Sequence, residues 1–378
     1  MTVSDLLEIQ ELRIELPVQG RPQPVIQDVS LAVREGEAVG LVGESGAGKS
    51  MTSRAVIRLL PPGAVTSGQI LFDSIDVLGL GRDALRRYRA ADVAMIFQDP
   101  RTHVNPVRRI GDFLTEALVT NGVCGRDEAA ERVVELLQDV GIDDAPRRLR
   151  QYPHELSGGL LQRVMIAAAL AVEPRLLLAD EPTTSLDVTT QAEVMAILDD
   201  QRRSRRLTML FVTHDLELAV AVCDRIAVMY AGFLVEDRSA AALHETARHP
   251  YTAGLLASRP SPTTRAPRLW AIPGRPLSAY EVRWGCPFAS RCPFVVDRCR
   301  DETQVMRAVD GGLVRCWRAE ELRGRLAEGY ERELGELGAR AELADEPFAE
   351  TQPGAESQPE VETRPPSEPA GPTDMSER

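Results

Sequence analysis

Residues 43–50 read Gly-Glu-Ser-Gly-Ala-Gly-Lys-Ser, a G-x-x-x-x-G-K-[ST] loop that works only where a strand feeds directly into a helix. Both flanks supply that context. Glu37 to Val42 is a short apolar strand, Ser50 to Leu60 reads as the following helix, and Pro61, Pro62 and Gly63 end it. Lys49 is the only lysine among 44 basic residues, the other 43 being arginine. A slim ammonium can thread a tight glycine loop and reach β- and γ-phosphates, whereas a planar guanidinium fork is too broad. The loop's amide N–H groups and the positive end of its helix form an anion site, to which Gly43, Gly46 and Gly48 allow close backbone approach. The Ser50 hydroxyl suits Mg²⁺. The chain is therefore expected to bind a nucleoside triphosphate through Gly43, Glu44, Ser45, Gly46, Ala47, Gly48, Lys49, Ser50 and Met51.

The rest of the chain fits an α/β organisation. Leu6 to Leu16 and Val25 to Val33 alternate apolar and polar residues, as half-buried strands do. A mostly helical region runs from Val107 to Ala171. Arg175 to Asp180 and Leu207 to Thr213 are apolar runs expected in a parallel sheet covered on both faces, with a helix from Val188 to Arg203 between them. Asp180 and Glu181 end the first run. One carboxylate there can hold Mg²⁺ through water and the next can take a proton from attacking water. Leu156, Ser157, Gly158 and Gly159 open a long apolar helix; on its own this is an ordinary N-cap, and it is equally a second anion site.

Charge and composition narrow the function class. The net charge of −13 argues against a nucleic-acid backbone as the main partner. Residues 341–378 carry ten Asp/Glu against two Arg, and this Pro-rich acidic tail is expected to be disordered. No apolar run approaches the ~20 residues of a membrane span and no signal peptide opens the chain, which points to the cytoplasm. A Pro-, Arg- and Ser-rich stretch from Ala257 to Ser278 marks a boundary. Beyond it lie a cysteine-bearing segment and an Arg/Glu-rich helix expected over Arg318 to Leu343.

Cys286, Cys292, Cys299 and Cys316 fall within 31 residues, spaced x5, x6 and x16. In a reducing compartment, four such residues suggest a tetrahedral Zn²⁺ site or a [4Fe–4S] cluster. No tight C-x₂₋₄-C pair is present, so the spacing leans towards the cluster, with zinc or metal-free thiols as alternatives. Cys124 and Cys223 read as small buried residues. Of five histidines, only His214 directly follows an apolar strand; His103, His154, His244 and His249 read as surface or structural.

Taken in chain order, Gly43 to Ser50, Gln98, Leu156 to Gly159, Asp180 and Glu181, Ser185 to Asp187, and His214 resemble the complete motif set of an ATP-binding cassette (ABC) ATPase. The resemblance covers roughly residues 6–256. It implies a P-loop NTPase fold with a helical lobe over about 99–171, closing head-to-tail on a second cassette. By that resemblance Glu181 is the general base, and His214 holds the γ-phosphate. Gln98 senses Mg²⁺ and the attacking water, and Asp180 and Ser50 serve Mg²⁺. Ser157 and Gly159 contact the γ-phosphate of the partner's ATP, and Asp187 couples the two sites. Two departures stand out: Leu160 replaces the usual Gln of the signature, and no Phe, Tyr or Trp precedes Phe72 to stack on adenine. Base–aromatic stacking is worth ~1–3 kcal/mol, so ATP affinity and rejection of GTP are expected to be weakened, with Leu16 or Val18 as partial substitutes.

Finer matches are similar to the ATPase subunits of oligopeptide, dipeptide and nickel importers. They are Met95 to Pro100 with Asn105 and Pro106, Tyr152 to Ser157, Arg248 to Thr252 with Gly254 to Leu256, and the paired Cys-Pro-Phe runs at Cys286 and Cys292. That resemblance implies a cassette over 1–256, an extension over 257–340 carrying a [4Fe–4S] cluster as a structural staple, and the acidic tail. It also implies two membrane permease subunits, a second ATPase of a different chain, an external solute-binding protein, and a place on the cytoplasmic face of the inner membrane. The alternative from another class is a soluble ABC-type ATPase acting on ribosomes or nucleic acid.

Overall fold

The computed structural model describes residues 4–326 apart from Asn121, Ser185 and 259–270. The expected acidic tail lies outside the described residues, as does Ser185. The long apolar runs become a parallel core in the order Val93–Ile96, Leu176–Asp180, Thr208–Thr213, Ala38–Val42, Arg225–Tyr230. Every residue of Ala38–Val42, Leu176–Asp180 and Thr208–Thr213 is buried, as a sheet covered on both faces requires. The alternating segments become the long strands Asp5–Val18 and Arg21–Arg34, paired antiparallel and joined by Val65–Phe72 and the short Ile75–Asp76. Phe233–Ser239 turns back antiparallel on Arg225–Tyr230 and touches the long-stranded part through Phe233 opposite Asp28.

The sheet separates two apolar cores. One packs the helical region, Ile110–Thr120, Arg126–Asp139 and Gly158–Leu170, against one face. The other joins the phosphate-loop helix Lys49–Val56 to the long antiparallel strands. Helix Val188–Arg205 follows Leu176–Asp180 as expected and runs two residues further than its apolar spacing implies.

The chain beyond residue 270 is not a separate body. A hairpin of Arg307–Val309 and Gly312–Val314 adds to the sheet edge at Phe233–Ser239. Arg315 reinforces the join, pairing with Asp28 at 2.9 Å and donating to the Leu234 carbonyl at 2.8 Å. The helix expected from Arg318 is instead a series of turns through Arg325; the rest of that span lies outside the described residues. Buried Ala319 and Leu322 tie these turns to the hairpin and to helix Pro250–Ala257, where their packing overrides helix propensity.

Candidate functional site

The glycine loop lies between the end of Ala38–Val42 and helix Lys49–Val56. Two glycines are sterically required. A Cβ on Gly43 would lie 2.2 Å from the Met229 carbonyl oxygen. Gly48, at φ 106°, would drive one to 2.4 Å from Ile26 Cδ1. Lys49 is buried and its Nζ donates to the carbonyls of Gly43 at 2.8 Å and Glu44 at 3.1 Å. Burial lowers its pKa, opposed by the nearby carboxylates of Glu181, Asp180 and Glu44. A cation that donates to two carbonyls within the loop can exchange them for charged phosphate oxygens, which are stronger acceptors.

Asp180 and Glu181 divide into two roles. Ser50 Oγ donates to Asp180 Oδ1 at 2.7 Å, while Asp180 Oδ2 is buried without a hydrogen-bond partner among the described residues. Burial raises the Asp180 pKa, so the site holds an under-satisfied carboxylate beside a hydroxyl. That donor set fits Mg²⁺, a hard cation that takes oxygen ligands. Glu181 N donates to Val212 O at 2.9 Å, and the residue adopts a left-handed φ of 47°, a conformation costly for a non-glycine residue. Its Oε2 is a meeting point: Gln98 Nε2 donates at 3.0 Å, Thr184 Oγ1 donates at 2.9 Å, and His214 Nδ1 stands at 3.5 Å. Lys49 Nζ lies 3.8 Å from Oε1. The glycine loop, Gln98, Glu181 and His214 therefore line one open cleft of about 810 Å³, within the range of small-molecule sites.

The remaining expected residues form a second cluster. Ser157 caps helix Gly158–Leu170, its Oγ accepting from Leu160 N. Asp187 caps Val188–Arg205, accepting from Thr190 N at 3.0 Å and Thr190 Oγ1 at 2.8 Å; the first bond holds its carboxyl below the usual range. The first turns of the two helices lie side by side: a Cβ on Gly159 would lie 2.3 Å from Thr190 Cγ2. Neither Ser157, Gly159 nor Asp187 lines the cleft of its own chain.

The cysteine expectation is corrected. Cys286, Cys292, Cys299 and Cys316 do line one small cavity, together with Phe288, Phe294 and Leu322. Yet among the described residues no group of three or more His, Cys, Asp or Glu is arranged to hold a metal ion. Burial pushes the thiols of Cys286 and Cys292 up to about 12 and Cys316 up to about 11. The [4Fe–4S] cluster and its zinc alternative are withdrawn. The module is a packed core of thiols and aromatic rings, in which Phe288 meets Tyr230 and Tyr251.

Sequence reasoning missed what this module does to the loop. Arg291, 4% exposed, forms a two-pronged pair with Glu44, Nη1–Oε2 at 2.6 Å and Nη2–Oε1 at 3.1 Å, while the Tyr251 hydroxyl accepts from Glu44 N at 2.9 Å. Arg291 lies one residue before Cys292, so the Cys-Pro-Phe repeat was a signal, though not one that names its partner. Arg291→Met is expected to cost about 2 kcal/mol by leaving a partly buried carboxylate unpaired. Thermal unfolding checks this, and an unchanged Tm would show the clamp to be inert. Other expectations also shift. Val18 is exposed and Leu16 half-buried, and neither lines the cleft, where Pro24 and Val25 stand instead. His249 is buried and structural, pushed down to about 3 by burial, with Nδ1 accepting from Tyr251 N.

The chain resembles known proteins over most of its length. Residues 26–184 match the family described as ABC transporter, and residues 235–299 match the one described as Oligopeptide/dipeptide transporter, C-terminal region. The chain is 41% identical over 321 residues to a probable peptide ABC transporter ATP-binding protein of Sinorhizobium fredii, covering 84% of this chain and 96% of that one. It is 41% identical over 317 residues to the dipeptide transport ATP-binding protein DppD of Bacillus subtilis, covering 82% and 94%. Among solved structures it is similar to a dimeric ATP-binding cassette in a post-hydrolysis state bound to ADP and Pi. That match has 27% identity and a TM-score of 0.56, and covers 62% of this chain and 98% of that one.

Proposed function

The chain belongs to the ABC transporter family, among the ATP-binding proteins of oligopeptide and dipeptide transporters, and we propose that it hydrolyses ATP to drive import of peptides or related small solutes. The observation that carries this reading is the separation of the motif residues into two clusters on one chain. The cleft holds the phosphate loop, Gln98, Glu181 and His214, while Ser157, Gly159 and Asp187 sit together elsewhere. Head-to-tail pairing of two cassettes lays the second cluster of one chain over the cleft of the other, completing each site.

Within that site the loop's N–H groups and Lys49 bind the phosphates. Mg²⁺ accompanying ATP would be held by Ser50 and Asp180 with Gln98 beside them, and supplies charge neutralisation to the β- and γ-phosphate oxygens. Glu181 takes the proton of the attacking water. The contacts at its Oε2 from Gln98, Thr184 and His214 fix the carboxylate's orientation. His214 also holds the γ-phosphate. Ser157 and Gly159 reach the γ-phosphate of the partner's ATP, and Asp187 couples the two sites.

The division into a cassette over 1–256, an extension over 257–340 and an acidic tail over 341–378 belongs to the same proposal. So do two membrane permease subunits, a second cassette of a different chain, an external solute-binding protein acting indirectly, no nucleic acid, and a peripheral place on the cytoplasmic face. No helix among the described residues is long and apolar enough to cross a membrane, so the membrane path must come from partners. An apolar groove of about 370 Å³ between Met95, Phe97, His103, Phe113, Met165 and Val172 supports a docking place for a permease segment beside Gln98. Affinity purification from detergent-solubilised membranes is expected to bring down two polytopic subunits. Sedimentation with ribosomes in place of those subunits would overturn the importer reading.

A further inference from the structure

The lining of the nucleotide cleft is of two chemical kinds. Lys49, Ser50, Gln98, Glu181 and His214 are polar or charged. Pro24, Val25 and Leu255 add an apolar part, together with Ala279 and Tyr280, which come from the segment beyond residue 270. Tyr280 is 50% exposed, and apart from His214 it is the one aromatic ring among the cleft's described lining residues. A large ring left half in water on the wall of a binding cleft gains apolar contact area when a flat ligand covers it.

The backbone beneath Tyr280 is held in place. It belongs to a short turn, Ala279–Glu281, closed by a capping box in which Ser278 N donates to Glu281 Oε2 at 2.8 Å. Gln27 Nε2, on strand Arg21–Arg34, donates to the carbonyls of Ala279 and, at 3.1 Å, Val282. Ala279 is buried against Gly232, where an added Cβ would come within 2.8 Å of it. Leu277 N donates to the Tyr230 hydroxyl at 3.3 Å. The lead-in is tied to the phosphate loop itself, because the same Arg291 that pairs with Glu44 donates through Nε to the Pro273 carbonyl at 2.8 Å. The segment is therefore fixed relative to strand Arg21–Arg34 and to the phosphate loop before any ligand arrives, so little ordering cost falls on binding.

We propose that Tyr280 is the base-binding residue of this nucleotide site, its ring forming the platform for the purine while the loop holds the phosphates. This rests on the ATP-binding reading above and adds to it that the extension, not the strands preceding the loop, supplies the aromatic surface. Stacking uses the π-face common to all bases, so the platform raises affinity without choosing between adenine and guanine. The expectation of weak ATP binding drawn from the aromatic-free first 71 residues is thereby revised, while that of poor rejection of GTP stands.

The test compares full-length wild type, Tyr280→Ala and Tyr280→Phe in calorimetric titrations with ATP, GTP and inorganic tripolyphosphate, which carries the phosphates without a base. Tyr280→Ala is expected to weaken ATP and GTP each by about tenfold and to leave tripolyphosphate unchanged, with Tyr280→Phe staying within about twofold of wild type throughout. Unchanged ATP affinity in Tyr280→Ala overturns the proposal. So does an equal loss for tripolyphosphate, which would make Tyr280 a support for the loop, or a Phe variant as weak as Ala. A wild-type chain that binds neither ATP nor tripolyphosphate would overturn the nucleotide site itself and this proposal with it.

Discussion

Glu181→Gln is expected to lower ATP turnover at least ~10²-fold while ATP affinity stays within about twofold. Gln cannot accept a proton, yet it keeps the size and the hydrogen-bonding capacity that Gln98 and Thr184 meet at Oε2. The loss therefore falls on the chemical step and not on binding. The left-handed backbone at Glu181 is unaffected by the exchange, so the site should stay assembled. Single-turnover hydrolysis together with equilibrium ATP titration separates the two quantities. Wild-type turnover in this variant would remove Glu181 from the role of base, and lost affinity would show that it serves binding.

Lys49→Arg is the second large effect, with turnover expected to fall ~10²-fold or more although the charge is kept. The native ammonium is buried and donates to Gly43 O and Glu44 O. Met229 O and Ile26 Cδ1 crowd the same loop closely enough that Gly43 and Gly48 have no room for a Cβ. A guanidinium has to displace that packing or leave the loop. The same titration and turnover assays read this variant, and near-native values would mean that the single lysine of this chain marks nothing more than composition.

Much of the site could be read in linear form because phosphate chemistry is carried by contiguous runs. Gly43 to Ser50 names its own strand and helix, and Asp180-Glu181 sits at the end of an apolar strand whose burial is visible as an unbroken hydrophobic stretch. Ser157 was legible as a cap, and a cap it is; that Asp187 also caps a helix is seen only in the fold. What could not be read were pairings between distant segments. Arg291 and Glu44 are 247 residues apart, Gln27 and Ala279 are 252 apart, and a hairpin after residue 306 completes a sheet begun at residue 5. Nothing local in Tyr280 distinguishes it from any exposed tyrosine until the turn at Ala279–Glu281 is placed on strand Arg21–Arg34. The cysteines show the opposite limit. Spacing correctly gathered four of them into one module, but spacing carries no information on the direction of each Cβ–Sγ bond or the polarity around it. Those two properties separate a ligand set from a packed thiol core.

The extension thus meets the nucleotide site at two places, through Arg291 at the phosphate loop and through Tyr280 in the cleft lining. Both contacts depend on the cysteine module being folded, since Arg291 lies between Cys286 and Cys292 and Phe288 packs on Tyr230 and Tyr251. The thiol core is then a structural base for the loop.

A cassette that couples ATP hydrolysis to peptide import hydrolyses ATP at a rate set by its membrane partners. That rate is measured after reconstituting the chain in liposomes with the membrane subunits that co-purify with it. The external binding protein is supplied empty or loaded with peptide. Hydrolysis is expected to rise with peptide-loaded binding protein and to disappear in Glu181→Gln. Hydrolysis that ignores the membrane subunits and the peptide alike, or that persists in Glu181→Gln, would overturn the coupling.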